Sequence, residues 1–187
     1  MNYRAYHFGN YYLSGIQQGI QAAHAQTAMI NKYVMRKLCN VCNGHTRESL
    51  MNDIYIDAIN QWIKQPTMIC LNGGNNEDLC NTFDLFDTIS RFPYASFHED
   101  HESLDGILTN VVILLPEYIY DAHRILVCDA KYKDEHGYTY TAKSISELMG
   151  NNSLMKIVEQ YCRDRNIPMF TQSDINIIEH VSKHRLA

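Results

Sequence analysis

Tyr3-Arg4-Ala5-Tyr6-His7-Phe8-Gly9-Asn10-Tyr11-Tyr12-Leu13-Ser14-Gly15-Ile16-Gln17-Gln18-Gly19-Ile20 decides the fold, because the hydrophobic period changes within it. Tyr3 to Phe8 alternates and is rich in aromatics, which suits a strand, and Gly9-Asn10 breaks it. From Ser14 the period lengthens. Ile16, Ile20, Ala23, Thr27, Ile30 and Val34 recur at three- and four-residue steps, which predicts a long helix burying that stripe.

Downstream, Asn40 to His45 reads as a loop, and Thr46 is placed to cap a second helix whose stripe is Met51, Tyr55, Ala58, Ile59 and Trp62; Pro66 ends it. Thr67 to Leu71 is a short apolar strand closed by Asn72-Gly73-Gly74. Asn75 or Asn76 caps a helix carrying Leu79, Phe83, Phe86 and Ile89, which Pro93 stops. Tyr94 to His98 is a third strand, Glu99 to Gly106 an acidic loop, and Thr109 to Leu115 a fully apolar fourth strand. This order predicts a three-layer α/β/α domain with a four-stranded mixed sheet over residues 1–127. Residues 128–187 read as a C-terminal extension of a hairpin and helices. The hairpin pairs Ile125 to Lys131 with Tyr138 to Thr141, and helices run from Ser144 to Met149, from Ser153 to Arg165 and onward from Ser173.

Composition narrows the function classes. A chain of 187 residues with 45% hydrophobic and 20% charged side chains is neither disordered nor a coiled coil. Val111-Val112-Ile113-Leu114-Leu115 is far shorter than the roughly 20 apolar residues of a membrane helix, and the N-terminus has no apolar leader. A cytoplasmic protein with its six cysteines as thiols is the expectation. The net charge of -5 is unevenly spread. Residues 1–47 carry five basic and no acidic side chains, residues 48–130 carry 14 acids against three bases, and residues 131–187 are nearly balanced. An anionic ligand is steered toward the first segment.

The acid-free start of the first helix, Ser14-Gly15-Ile16-Gln17-Gln18, is suited to an anion, since unpaired amides and the positive end of the helix dipole meet there. Gln17, Gln21 and His24 share a face beside it. The same residues also fit a solvated polar stripe. His98-Glu99-Asp100-His101-Glu102 has metal-ligand types, but alternation along a strand end sends neighbours to opposite faces, so a solvated acidic loop is the reading taken. Cys39, Cys42 and His45 make a partial zinc pattern that lacks a fourth ligand in sequence. No cofactor and no metal are expected.

Ser14 to Ala25 resembles the first signature of the type 2 peptidyl-tRNA hydrolases, a Gly/Lys-rich turn running into Ala-Ala-Gln-x-x-His-Ala; Gln21, His24 and Ala25 match in place. Trp62 with Pro66 to Leu71, and Pro93 to Asp100 leading into the apolar run that ends at Leu115-Pro116, resemble the family's second, third and fourth strands. The resemblance covers roughly residues 2–127. It implies the same domain, commonly paired into dimers, and an active-site aspartate at Asp100. The chain departs from the family where it matters for catalysis. Gln17 stands at the catalytic lysine, Gly15 at the other signature lysine, His101-Glu102 at the Ala-Gly, and Leu104 at the threonine. Neutral Gln17 stabilises an oxyanion less than an ammonium does.

Three functions follow as expectations. The first is a degenerate member that binds a nucleotide, a nucleotide signal or an RNA end through Ser14, Gly15, Gln17, Gln18 and Gln21, as a phage-type sequestering protein would. The second is an active hydrolase cleaving the ester between peptide and tRNA, with Asp100 orienting water and His24 or His101 replacing the lysine. The third is a protein-interaction module docking a partner on the acidic face of residues 75–105.

Overall fold

A computed structural model describes residues 2–35, 47–100, 102, 106–133 and 139–187. The chain is α/β and divides into two compact units, residues 1–116 with 184–187, and residues 117–183.

In the first unit, β1 (Tyr3–Gly9), β2 (Met68–Asn72), β3 (Tyr94–His98) and β4 (Leu108–Pro116) form a mixed sheet in the order β2-β1-β4-β3. β1 runs parallel to β2 and antiparallel to β4, which also pairs antiparallel with β3. All nine residues of β4 are buried, as suits a central strand, the apolar run 111–115 following the polar pair Thr109-Asn110. Two helices, α1 (Gly15–Ile30) and α2 (Arg47–Lys64), cover one face. There Ala25 and Met29 of α1 and Ala58, Ile59 and Trp62 of α2 pack with Ala5, Ala95, Val112 and Leu114 of the sheet. The Trp62 indole is satisfied by the Thr67 carbonyl at 3.0 Å. The third helix, α3 (Asn76–Ile89), packs on the opposite face, where Phe86 meets Phe8 at 5.6 Å between ring centroids. Asn75 caps α3 through a reciprocal pair of bonds with Asp78.

Of the stripe expected to be buried, Ile30 and Val34 at its far end do pack against the core, but the first half does not. Ile16 is 81% and Ile20 50% exposed, and Ala23 and Thr27 face solvent with them. The buried side chains are Gln21, Ala22, Ala25 and Met29. The two alanines let the helix lie close to the sheet, and Gln21 faces a sheet surface that is itself polar at that end, with Thr109 and Asn110 beneath. Beyond α1 the chain continues as a π-helical turn, Asn31–Met35.

Residues 184–187 lie along the free edge of β2. Asn72 N–H donates to the Arg185 carbonyl at 2.9 Å and Ala187 N–H to the Cys70 carbonyl at 3.0 Å, so they cover an otherwise unpaired strand edge.

The second unit contains α4 (Glu117–Tyr120), a π-helical turn (Arg124–Asp129), a short hairpin of β5 (Tyr132–Lys133) and β6 (Thr139–Tyr140), then α5 (Ile145–Gly150), α6 (Asn152–Asp164) and α7 (Gln172–Lys183). The expected first hairpin strand, Ile125 to Lys131, is corrected. Its apolar residues wind into the π turn, burying Leu126 and Val127, and pairing begins only at Tyr132. Tyr132 fixes this arrangement by donating its hydroxyl to the Leu126 carbonyl. Among the described residues, no helix is long and apolar enough to cross a membrane.

Candidate functional site

The turn from β1 into α1 is built by its own side chains. Asn10 accepts from Tyr12 N–H at 3.1 Å, and Leu13 N–H bonds the Asn10 carbonyl at 3.1 Å. Ser14 then caps α1. Its N–H and hydroxyl donate to Gln17 Oε1 at 3.0 and 2.9 Å, while Gln17 N–H reaches Ser14 Oγ at 3.4 Å, a capping box in which Gln replaces the more usual Glu. Gln18 reaches backward, its amide donating to the carbonyls of Leu13 at 3.2 Å and Asn10 at 3.4 Å. Gln17 and Gln18 are therefore committed to holding the turn. What remains outward is backbone: the amides of Gly15 and Ile16, at the first two helical positions, have no acceptor within the helix. Its first turn carries no acid. Directly ahead of it the Tyr11 and Tyr12 rings are in contact, tilted 34° to each other with centroids 4.0 Å apart, 45% and 74% exposed. Hydrogen bonding to Tyr12 raises the Tyr11 phenol above its ordinary pKa, with nearby Asp78 adding to the effect.

Beneath the first half of α1, buried polar side chains replace the apolar layer found farther along. His7 of β1 and Asn110 of β4 are joined by a 3.1 Å bond from imidazole Nδ1 to the amide oxygen. Nδ1 carries the hydrogen in that bond, so Nε2 presents a bare lone pair, and among the described residues nothing bonds it or the buried Gln18 Oε1. Burial pushes His7 down to about 4, against the opposing effect of Asn110. Gly9 leaves room for the Gln18 amide, since a Cβ on it would lie 3.1 Å from Gln18 Oε1.

One turn farther, Gln21 donates its amide to Glu99 Oε1. The Thr109 hydroxyl lies 3.5 Å from Gln21 Oε1 and 3.3 Å from the Phe97 carbonyl. A register shift between Phe97 and His98 lets two successive β4 residues, Thr109 and Asn110, both serve this cluster. His24 stacks on Phe97, with centroids 4.6 Å apart and planes 16° from parallel.

Gln21 and His24 thus both meet the end of β3, where Asp100, exposed, directly follows Glu99. Ser14, Gly15, Gln17 and Gln18 sit together at the helix start. His101, Leu104, Thr46, Cys39, Cys42 and His45 lie outside the described residues. His7, Asn110, Thr109 and Phe97 join the site with no role assigned from the sequence, and Glu99, expected in a solvated acidic loop, instead accepts from Gln21. The sole sequence signal for His7 was an ionisable residue on the inward side of an alternating strand. Chemically the cluster offers amides, an imidazole, a hydroxyl and carboxylates. Among the described residues no group of three or more His, Cys, Asp or Glu could hold a metal ion. The sequence matches no known protein-family model and no curated protein.

Proposed function

We propose that the first unit binds a phosphate-bearing ligand, a nucleotide or an RNA end, at the start of α1, as a degenerate relative of the type 2 peptidyl-tRNA hydrolases. One juxtaposition carries the reading: the exposed Tyr11–Tyr12 ring pair immediately precedes an acid-free helix start with two outward amides. The amides of Gly15 and Ile16 receive the phosphate, and the helix dipole favours its charge. The base lies on the open face of Tyr12, a contact that tolerates any base because every base has a π-face. Gln17 and Gln18 act as positioning residues that hold the turn. Binding without hydrolysis fits the same geometry. Gln17 Oε1 accepts within the cap where an ammonium would be needed, and the Gln21 amide is given to a carboxylate.

Calorimetric titration with a mononucleotide, a cyclic dinucleotide and a short 5′-phosphorylated RNA tests this. At least one binds. Tyr12→Ala weakens it by about 1–3 kcal/mol, the worth of one base stack. Gly15→Asp separates binding from folding. A Cβ there meets nothing within 4 Å. An acid at the first helical position stabilises the helix by about 0.3–1 kcal/mol while repelling the phosphate. No binding, or binding indifferent to both substitutions, refutes the proposal. The hydrolase reading is tested by release of labelled acyl-amino acid from tRNA, expected at background for wild type and Asp100→Asn alike.

A further inference from the structure

The second unit carries a pair that the binding site does not use. Cys128 is exposed, and its Sγ lies 3.6 Å from His123 Nδ1. The two residues are five apart, and the backbone explains why they meet. In an α-helix such residues stand about 140° apart around the axis and face different ways. Here the chain winds as a π-helical turn over Arg124–Asp129, and the wider i to i+5 repeat brings residue 128 back over residue 123.

The surroundings suit proton transfer. Burial holds His123 below its ordinary pKa, partly offset by Glu179, so at neutral pH its imidazole is uncharged and able to accept a proton. Glu179 is itself fixed by Ser146, which donates its N–H and hydroxyl to the carboxylate at 2.9 and 2.8 Å. Its charge favours the imidazolium that forms once the thiol proton has moved. Two other acids stand close in sequence, Asp121 and Asp129, both bonded by Arg124 at 3.4 and 2.9 Å. Three carboxylates against Arg124 and Lys131 leave a small negative balance, which disfavours an anionic reactant relative to a neutral one. The other described thiols differ. Cys162 is buried, Cys70 and Cys80 are half-buried, and burial raises the pKa of Cys70 and Cys162.

We propose that Cys128 and His123 form a nucleophile–base pair that takes an acyl group from an uncharged activated ester or thioester. Cys128 Sγ attacks the carbonyl carbon as its proton passes to His123 Nδ1. The tetrahedral intermediate collapses with cleavage of the bond to the leaving oxygen or sulfur, to which the imidazolium returns the proton. The products are S-acyl Cys128, neutral His123 and a free alcohol or thiol, with no change of oxidation state.

The test uses the full chain, 4-nitrophenyl acetate as donor, and peptide mass mapping of the acetyl group. Cys128 acquires it at least about tenfold faster than Cys80, and His123→Gln reduces the rate at Cys128 by about tenfold or more. In the wild type this rate levels off near neutral pH, whereas in His123→Gln it keeps climbing as the solution is made alkaline. Iodoacetamide labels Cys128 faster than the anionic iodoacetate by a larger factor than it does Cys80. Acetylation of Cys128 no faster than Cys80, or a wild-type rate that keeps climbing into the alkaline range without levelling off, overturns the proposal. The wild-type profile decides the matter even if His123→Gln does not fold.

Discussion

His7 has a measurable consequence at the scale of one side chain. It is wholly buried, one nitrogen bonded to Asn110 and the other bare, and burial lowers it from 6.5 to about 4. The folded state therefore holds the neutral ring over a pH range in which the unfolded chain takes up a proton. Because the folded value is the lower one, stability is greatest above pH 6.5, falls as pH drops, and has lost this contribution by about pH 4, amounting to about 3 kcal/mol. Urea midpoints measured between pH 7 and 4 should decline for wild type and decline markedly less for His7→Gln, whose amide can still bond Asn110. Equal slopes for the two proteins would place the titrating group elsewhere. The same residue is adjacent to the candidate site, so ligand affinity should weaken over that pH interval along with the fold.

At the scale of the element, glycines in two settings should respond oppositely to alanine. Gly73 closes the turn from β2 to α3, and a Cβ on it would stand 2.6 Å from Leu79 Cδ2 and 2.9 Å from Phe8 Cβ. Overpacking of this kind costs about 1–3 kcal/mol, so Gly73→Ala should lower the urea midpoint. Gly19, in mid-helix on α1, has nothing within 4 Å, and Gly19→Ala should raise it by about 0.5–1 kcal/mol. The strands were legible because alternation in β1 and the unbroken apolar run of β4 each admit one reading. The face of α1 was not. Ile16 and Ile20 set the expected stripe by hydrophobicity alone, yet which side a helix buries depends on what lies beneath it, and here that is Thr109 and Asn110. Residues 125–128, Ile-Leu-Val-Cys, are a short apolar run that fits a buried strand and a buried helical turn equally well, and packing chose the turn. For the candidate site, Gln21 and His24 were read from their shared helix face and from the resemblance, and they contact Glu99 and Phe97 respectively, while Asp100 is exposed one residue beyond Glu99. Their partners Glu99 and Phe97 are set by how α1 packs on the end of β3, and Thr109 lies at a register shift that no single sequence reveals.

At the scale of the whole molecule, charge separates a small ligand from a long one. Residues 11–27, which include the proposed site, contain no Lys, Arg, Asp or Glu, and the chain carries -5 overall with the acids concentrated in residues 48–130. A phosphate held by the amides of Gly15 and Ile16 releases few counterions on binding, since counterion release accompanies neutralisation by Lys and Arg. A mononucleotide should therefore lose less than about threefold in affinity between 50 and 200 mM salt. A protein that gripped tRNA through six or more phosphates would lose about three orders of magnitude over the same interval. For a long RNA the acidic remainder adds repulsion that salt relieves, so its affinity should stay flat or rise as salt is added. Measuring both slopes on one preparation distinguishes the ligand classes without knowing the ligand's identity. A steep fall with salt for the RNA would show that basic side chains carry the contact, and the site would then have to be sought away from the start of α1.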